Sequence, residues 1–130
     1  MPAPSPFDYA IIRVVPRVER GECLNAGVIL YCRTRRFLAA ALDLDPARLA
    51  ALDLSADAAE IQAHLDSLAH IAAGGPDSGP IGRLPQSERF HWLTAPRSTI
   101  IQPSPVHPGR CLDPAAALAH LLATLVQRPA

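Results

Sequence analysis

The chain has 130 residues, of which 49% are hydrophobic and 18% are charged, and its formal net charge is zero. This balance excludes intrinsic disorder, and no apolar run approaches the ~20 residues that a membrane-spanning helix needs. We expect one soluble domain over residues 1–130, with a flexible N-terminus over 1–6, that folds without a disulfide, metal or other cofactor.

Three apolar runs near the N-terminus predict the strands of an antiparallel meander. FDYAIIRVV and AGVILYC are rich in β-branched and aromatic residues, and FLAAALDL follows the short turn RTRR. The first connection, PRVERGECLN, carries Pro16 and Gly21, as a loop or a bulged hairpin does. The second run is almost continuously apolar, which predicts a central strand that is covered on both faces or by a helix on one.

Helix signals follow these strands. Asp45 can cap a short helix that starts at Pro46, and the clearest helix runs from an N-cap at Ser55 to a stop at Gly74. The stretch QSERFHWL suits either a short helix or a strand, and we favour the helix.

The last helix also has a clear start signal. Asp113 is placed as an N-cap and Pro114 as the first helical residue, and leucines at helical spacing continue the helix until it ends before Pro129.

The most polar segment, TAPRSTIIQPSPVHPGR, spans Thr94–Arg110 and contains four prolines. STIIQ predicts a short strand at an edge of the sheet, because the prolines on either side cannot donate to a ladder. The other prolines predict a stiffened loop. Together the elements predict an α+β fold: a small antiparallel sheet, made of the meander and a short edge strand, with the two main helices packed on one face.

Charge is unevenly distributed along the chain. All twelve basic residues are arginine; residues 7–36 and 83–110 are basic, and residues 43–66 carry six acids against Arg48. Converging arginines would suit phosphate or carboxylate, unless the acidic segment neutralises them. The absence of lysine and of long basic runs argues against a nucleic-acid partner.

The blocks RVERGECLNAGVILYC and RFHWLTAPRSTIIQPSPVHPG resemble the bacterial family called domain of unknown function 3037, over nearly the whole chain. The family's name assigns no activity, so the resemblance carries over no catalytic residue. Members of that family look like single-domain proteins that are often encoded beside HipA-like kinases. The resemblance therefore implies an accessory protein with such a kinase as a candidate partner.

Candidate binding residues come from the proline-rich segment and from the first loop. A Pro-Arg-Ser-Thr turn can aim a guanidinium, two hydroxyls and backbone amides at one anion, and histidine nearby titrates near neutrality. Each of these side chains could instead have a purely structural role, in an ion pair, in a turn cap or in a hydrogen bond that holds the loop. The candidates are Arg97, Ser98, Thr99, His107 and Arg110, with Arg20, Glu22 and Asn25 of the first loop.

Two other kinds of chemical site would use the cysteines. Cys23 with His107 or His91 as base has the composition of a nucleophilic site, but no hydrolase motif supports it. A zinc site from Cys23, Cys32, His107 and Cys111 lacks the usual ligand spacing. We expect neither.

The N-terminus, MPAPSPFDYA, has neither the basic region nor the long apolar core of a secretory signal, which predicts a cytoplasmic protein whose three cysteines are free thiols.

The leading hypothesis is a non-enzymatic module that binds a protein partner through the proline-rich segment and the first loop. The alternative is a small hydrolase or nucleotide-handling enzyme that uses Arg97 with His107 or Cys23. A third hypothesis is a homo-oligomer formed through the STIIQ edge.

Overall fold

An antiparallel sheet of five strands is the centre of the molecule, which a computed structural model describes over residues 3–128. The strand order is β3-β2-β1-β4, and β5 also pairs with β1. The α+β class, the antiparallel meander and the short edge strand are confirmed. The strands are β1 (Ser5–Val14), β2 (Leu24–Cys32), β3 (Phe37–Leu42), β4 (Ile101–Pro103) and β5 (His107–Cys111).

The central position of β2 is also confirmed. It pairs with β1 on one side and β3 on the other, and nearly all of its side chains are buried. Its register with β1 shifts where Ile12 faces Gly27 and Arg13 faces Asn25, so that Ala26 is an extra residue on β2. Such a bulge bends a strand and increases its twist.

β4 and β5 follow one another along the same edge of β1. β4 pairs with Ile12–Val14 and β5 with Ser5–Tyr9. β5 corrects the expectation of a loop, since HPGRC has little strand propensity. It forms because Phe7 packs where a side chain at Gly109 would lie, and because an edge strand tolerates a proline that donates to no ladder.

Within residues 3–128, five helices pack around the sheet. Asp45 and Asp113 cap α1 and α5 as expected, each through its side-chain oxygen. The N-cap of α2 is Asp57 and not Ser55, because the Asp57 carboxylate accepts from the Glu60 N–H at 3.1 Å while the Ser55 hydroxyl donates to Asp53. QSERFHWL is helical, as expected. The helices are α1 (Pro46–Leu52), α2 (Ala58–Ala73), α3 (Gly79–Gly82), α4 (Gln86–Leu93) and α5 (Pro114–Leu125).

The two main helices lie on opposite faces of the sheet, which differs from the expected one-sided packing. Alternate residues of β3 point to opposite faces: Leu38 packs with α1, α2 and α4, whereas its neighbour Phe37 packs with α5. Each helix therefore covers its own apolar face of β2 and β3, and both faces are buried.

The ends of the chain are described in part. The flexible segment expected over residues 1–6 includes residues 1–2, which lie outside the described residues, as does Pro129. β1 already begins at Ser5, which is buried and pairs with Cys111. Within residues 3–128, no helix has the length and apolar character required to cross a bilayer.

Candidate functional site

A groove of about 710 Å³ lies between α2 and the segment that connects α4 to β4. α2 forms one wall, Trp92 and the connecting segment form the other, and residues around the α1–α2 junction close one end. Pro16 of the first loop also lines it, and the Val15 N–H donates to the Ile100 carbonyl, which ties that loop to the connecting segment. The groove is therefore lined by residues of both segments that the sequence predicts to form a binding surface, the proline-rich segment and the first loop.

Arg97 lines this groove, but its guanidinium is held by Trp92. The Arg97 Cζ lies 4.6 Å from the centroid of the Trp92 ring, and Nη2 donates to the Trp92 carbonyl oxygen at 2.6 Å. A guanidinium over an indole gains cation–π attraction, and the hydrogen bond uses one of its five donors. Arg97 therefore stiffens the wall of the groove and keeps other donors for a ligand.

The facing wall is acidic. The groove is lined there by Asp53, Asp57 and Glu60. His64 Nε2 lies 4.0 Å from Glu60 Oε1. The pKa of Asp53 is lowered because its carboxylate accepts from the hydroxyl and the backbone N–H of Ser55, with a further contribution from Arg17 at 3.6 Å. With three carboxylates against Arg97, the lining is negative overall, which disfavours a small anion.

Large exposed apolar side chains gather at the same place. Trp92, which is 37% exposed, and Ile100, which is 46% exposed, both line the groove. Isolated apolar residues on a surface are common, but two that line one groove are typical of a binding site.

The remaining candidates of the proline-rich segment lie elsewhere or beside the groove. Thr99 lines the groove, and Ser98 is exposed next to it without being part of the lining. His107 is on β5, where its ring contacts that of Tyr9 with the centroids 5.5 Å apart, and Arg110 is exposed on the same strand. The five residues therefore do not form one anion site.

The candidates of the first loop also separate. Arg20 and Glu22 form an exposed ion pair with each other, and the Glu22 carboxylate raises the pKa of Arg20. Asn25 donates from Nδ2 to the Leu125 carbonyl oxygen at 3.0 Å, which ties β2 to the end of α5.

Cys23 and His107, two residues of the alternative nucleophilic site, are far apart. Cys23 precedes Leu24, which pairs with Val14, whereas His107 pairs with Tyr9. Five strand residues separate these positions along β1, about 17 Å at ~3.4 Å per residue. Of the other thiols, Cys32 and Cys111 are buried. Across the described part of the chain, no group of three or more His, Cys, Asp or Glu is arranged to hold a metal ion.

Residues 9–126 match the model of a protein family described as "Protein of unknown function (DUF3037)". The chain belongs to this family. No curated protein and no solved structure matches the chain of this DUF3037 protein. The family membership agrees with the resemblance seen in the sequence and assigns no activity.

Sequence reasoning missed the acidic wall of the groove in this DUF3037 protein. Glu60 and His64 lie one turn apart on α2, and both line the groove together with Trp92. Their one-turn spacing on α2 and the large area of Trp92 were visible, but nothing in the sequence shows that α2 lies opposite the segment after α4.

Proposed function

We propose that this DUF3037 protein is a non-enzymatic accessory module that binds a partner protein in the groove between α2 and the segment from Thr94 to Ile101. The observation that carries the proposal is that two large exposed apolar side chains, Trp92 and Ile100, line one groove. Aromatic and aliphatic anchors of this kind supply most of the binding energy at protein interfaces.

The lining supports a partner segment of defined chemistry. Apolar side chains of the partner would cover Ile100 and the exposed part of Trp92, and a basic side chain would face Asp57 and Glu60. Charge complementarity of this kind steers association and fixes register more than it raises affinity. Arg97, held over Trp92, would position the aromatic ring before binding, so that less conformational entropy is lost.

A HipA-like kinase is the proposed partner, because the family resemblance suggests an accessory protein encoded beside such kinases. The proposed compartment is the cytoplasm. The three free cysteines support it, since reducing compartments keep thiols unpaired.

The test compares two substitutions of similarly exposed branched residues, Ile100→Arg in the groove and Val106→Arg outside it. Ile100 is 46% exposed and Val106 is 44% exposed, so the two changes perturb the fold to a similar degree. Tagged wild-type and variant proteins are expressed at native level, the protein that co-purifies is identified, and its affinity is measured with purified components.

We expect a stoichiometric partner whose affinity falls at least about tenfold with Ile100→Arg, the loss of one apolar anchor, and is unchanged with Val106→Arg. Equal loss in both variants would place the partner elsewhere. If neither the co-purification nor a purified HipA-like kinase gives a complex with the wild-type protein, the proposal is wrong.

A further inference from the structure

The outer edge of β3 presents backbone groups without partners. The Asp43 N–H donates to the Ala26 carbonyl at 2.8 Å, toward β2. Because backbone groups of successive residues point to opposite sides of a strand, the N–H and C=O groups of Leu38, Ala40 and Leu42 point away from β2. Among residues 3–128, no backbone or side-chain group outside the sheet forms a hydrogen bond with these three residues.

This edge lacks the features that prevent strands from pairing. β3 has the sequence FLAAAL, without proline, glycine or charge, and its register with β2 is regular. The opposite edge of the sheet is interrupted by Pro103 and Pro108, with Pro105 between them. Prolines and charges are the usual protection of an edge strand, so β3 is the edge that is open to another strand.

The charges at the ends of β3 suit a second copy of the same strand. Arg36 directly precedes it and Asp43 directly follows it, and both are exposed. When two copies pair antiparallel about a two-fold axis at Ala40, Arg36 of each copy lies opposite the second copy's Leu44, one residue beyond its Asp43. The basic end of each strand then lies near the acidic end of the other, whereas parallel pairing would bring ends of like charge together.

We propose that a second copy of this chain pairs with β3, edge to edge and antiparallel, and extends the sheet through both molecules. The two-fold axis passes at Ala40, so that Leu38 lies opposite Leu42 of the second copy. In this register all three outward-facing residues find partners, and the side chains of both copies keep their faces. The half-buried alanines of β3, Ala39, Ala40 and Ala41, allow close approach on both faces.

Amide hydrogen exchange, measured by NMR at two protein concentrations beside sedimentation equilibrium, tests the pairing. We expect a dimer of about twice 13.9 kDa that dissociates on dilution. The amides of Leu38, Ala40 and Leu42 should exchange at least about tenfold faster in the dilute sample, since only the second copy protects them. Those of Ala39 and Ala41 bond to β2 and serve as internal controls whose protection does not change.

A charge exchange provides the second test. Arg36→Glu and Asp43→Arg should each weaken the dimer severalfold, and the double variant should restore it, because neighbouring strand ends then again carry opposite charges. Circular dichroism verifies the fold of each variant. The proposal is overturned by a monomer at all concentrations, or by a dimer in which the three outward amides remain unprotected. The β3 edge and the groove have no residue in common, so either proposal can fail without the other.

Discussion

A single polar side chain, that of Ser104, completes the backbone hydrogen bonding of β1 where the sheet is interrupted between β4 and β5. Between β4 and β5 no strand residue faces Ile11, and Ser104, which is 2% exposed, fills the position. Its Oγ accepts from the Ile11 N–H at 2.8 Å and donates to the Pro105 carbonyl at 2.8 Å, and its own N–H donates to the Ile11 carbonyl. A serine hydroxyl thus lets one edge of β1 pair with two separate strands.

Ser104→Ala should lower the free energy of unfolding by about 1–3 kcal/mol, because it leaves the Ile11 N–H buried without an acceptor. Urea denaturation followed by circular dichroism measures the change. Ser98→Ala is the matched control, and because Ser98 is exposed we expect a change within about 0.5 kcal/mol. Equal stabilities of the two variants would show that the Ser104 hydroxyl does not support the edge.

At the scale of elements, short-range chemistry decides where each helix starts, and two candidates can compete within one turn. Ser55 and Asp57 are both good N-cap residues and are two positions apart. Asp53 binds the hydroxyl and the N–H of Ser55, which closes a turn, and Asp57 then takes the cap of α2. Asp57 also places its negative charge near the positive end of the helix dipole.

Asp57→Ala should therefore destabilise the protein by about 1 kcal/mol, the usual cost of removing a cap, and Ser55→Ala should cost clearly less. Thermal or urea unfolding at neutral pH ranks the two variants. The reverse ranking would move the start of α2 to Ser55.

At the scale of the whole molecule, the sheet separates two apolar layers. One layer lies between the sheet and α2. The other lies between the sheet and α5 and contains Phe7, Leu118 and two of the three cysteines. Cys32 and Cys111 lie together there, and burial raises the pKa of the Cys111 thiol. Cys23 is exposed in the first loop.

Thiol labelling should separate these positions. In the native protein one equivalent, Cys23, is expected to react quickly at pH 8, whereas Cys32 and Cys111 react only as fast as the α5 layer opens. The slow rate should rise with urea, and Cys23→Ser should remove the fast phase alone. Two or three fast equivalents in the wild type would contradict the packing of α5 on the sheet.

Several elements could be predicted from the sequence because local signals determine them. The apolar runs of β1, β2 and β3, the cap at Asp113 and the stop at Gly74 each depend on residues adjacent in the chain. β5 could not be predicted, since HPGRC becomes a strand only through contact with β1 and the ring of Phe7. For the same reason His107 and Arg97 looked like members of one loop, although one lies on β5 and the other in the groove.

The sequence by itself determined the α+β class, the meander and most helix boundaries, because periodicity, caps and turn residues act over a few positions. Only the tertiary structure decided that α2 and α5 cover opposite faces, that Trp92 and Arg97 lie opposite the carboxylates of α2, and that β3 is the unprotected edge. These features depend on contacts between residues distant in the chain. A local pattern shows that one face of a helix or strand is apolar. Which element packs against that face depends on contacts that form only when the whole sheet is assembled.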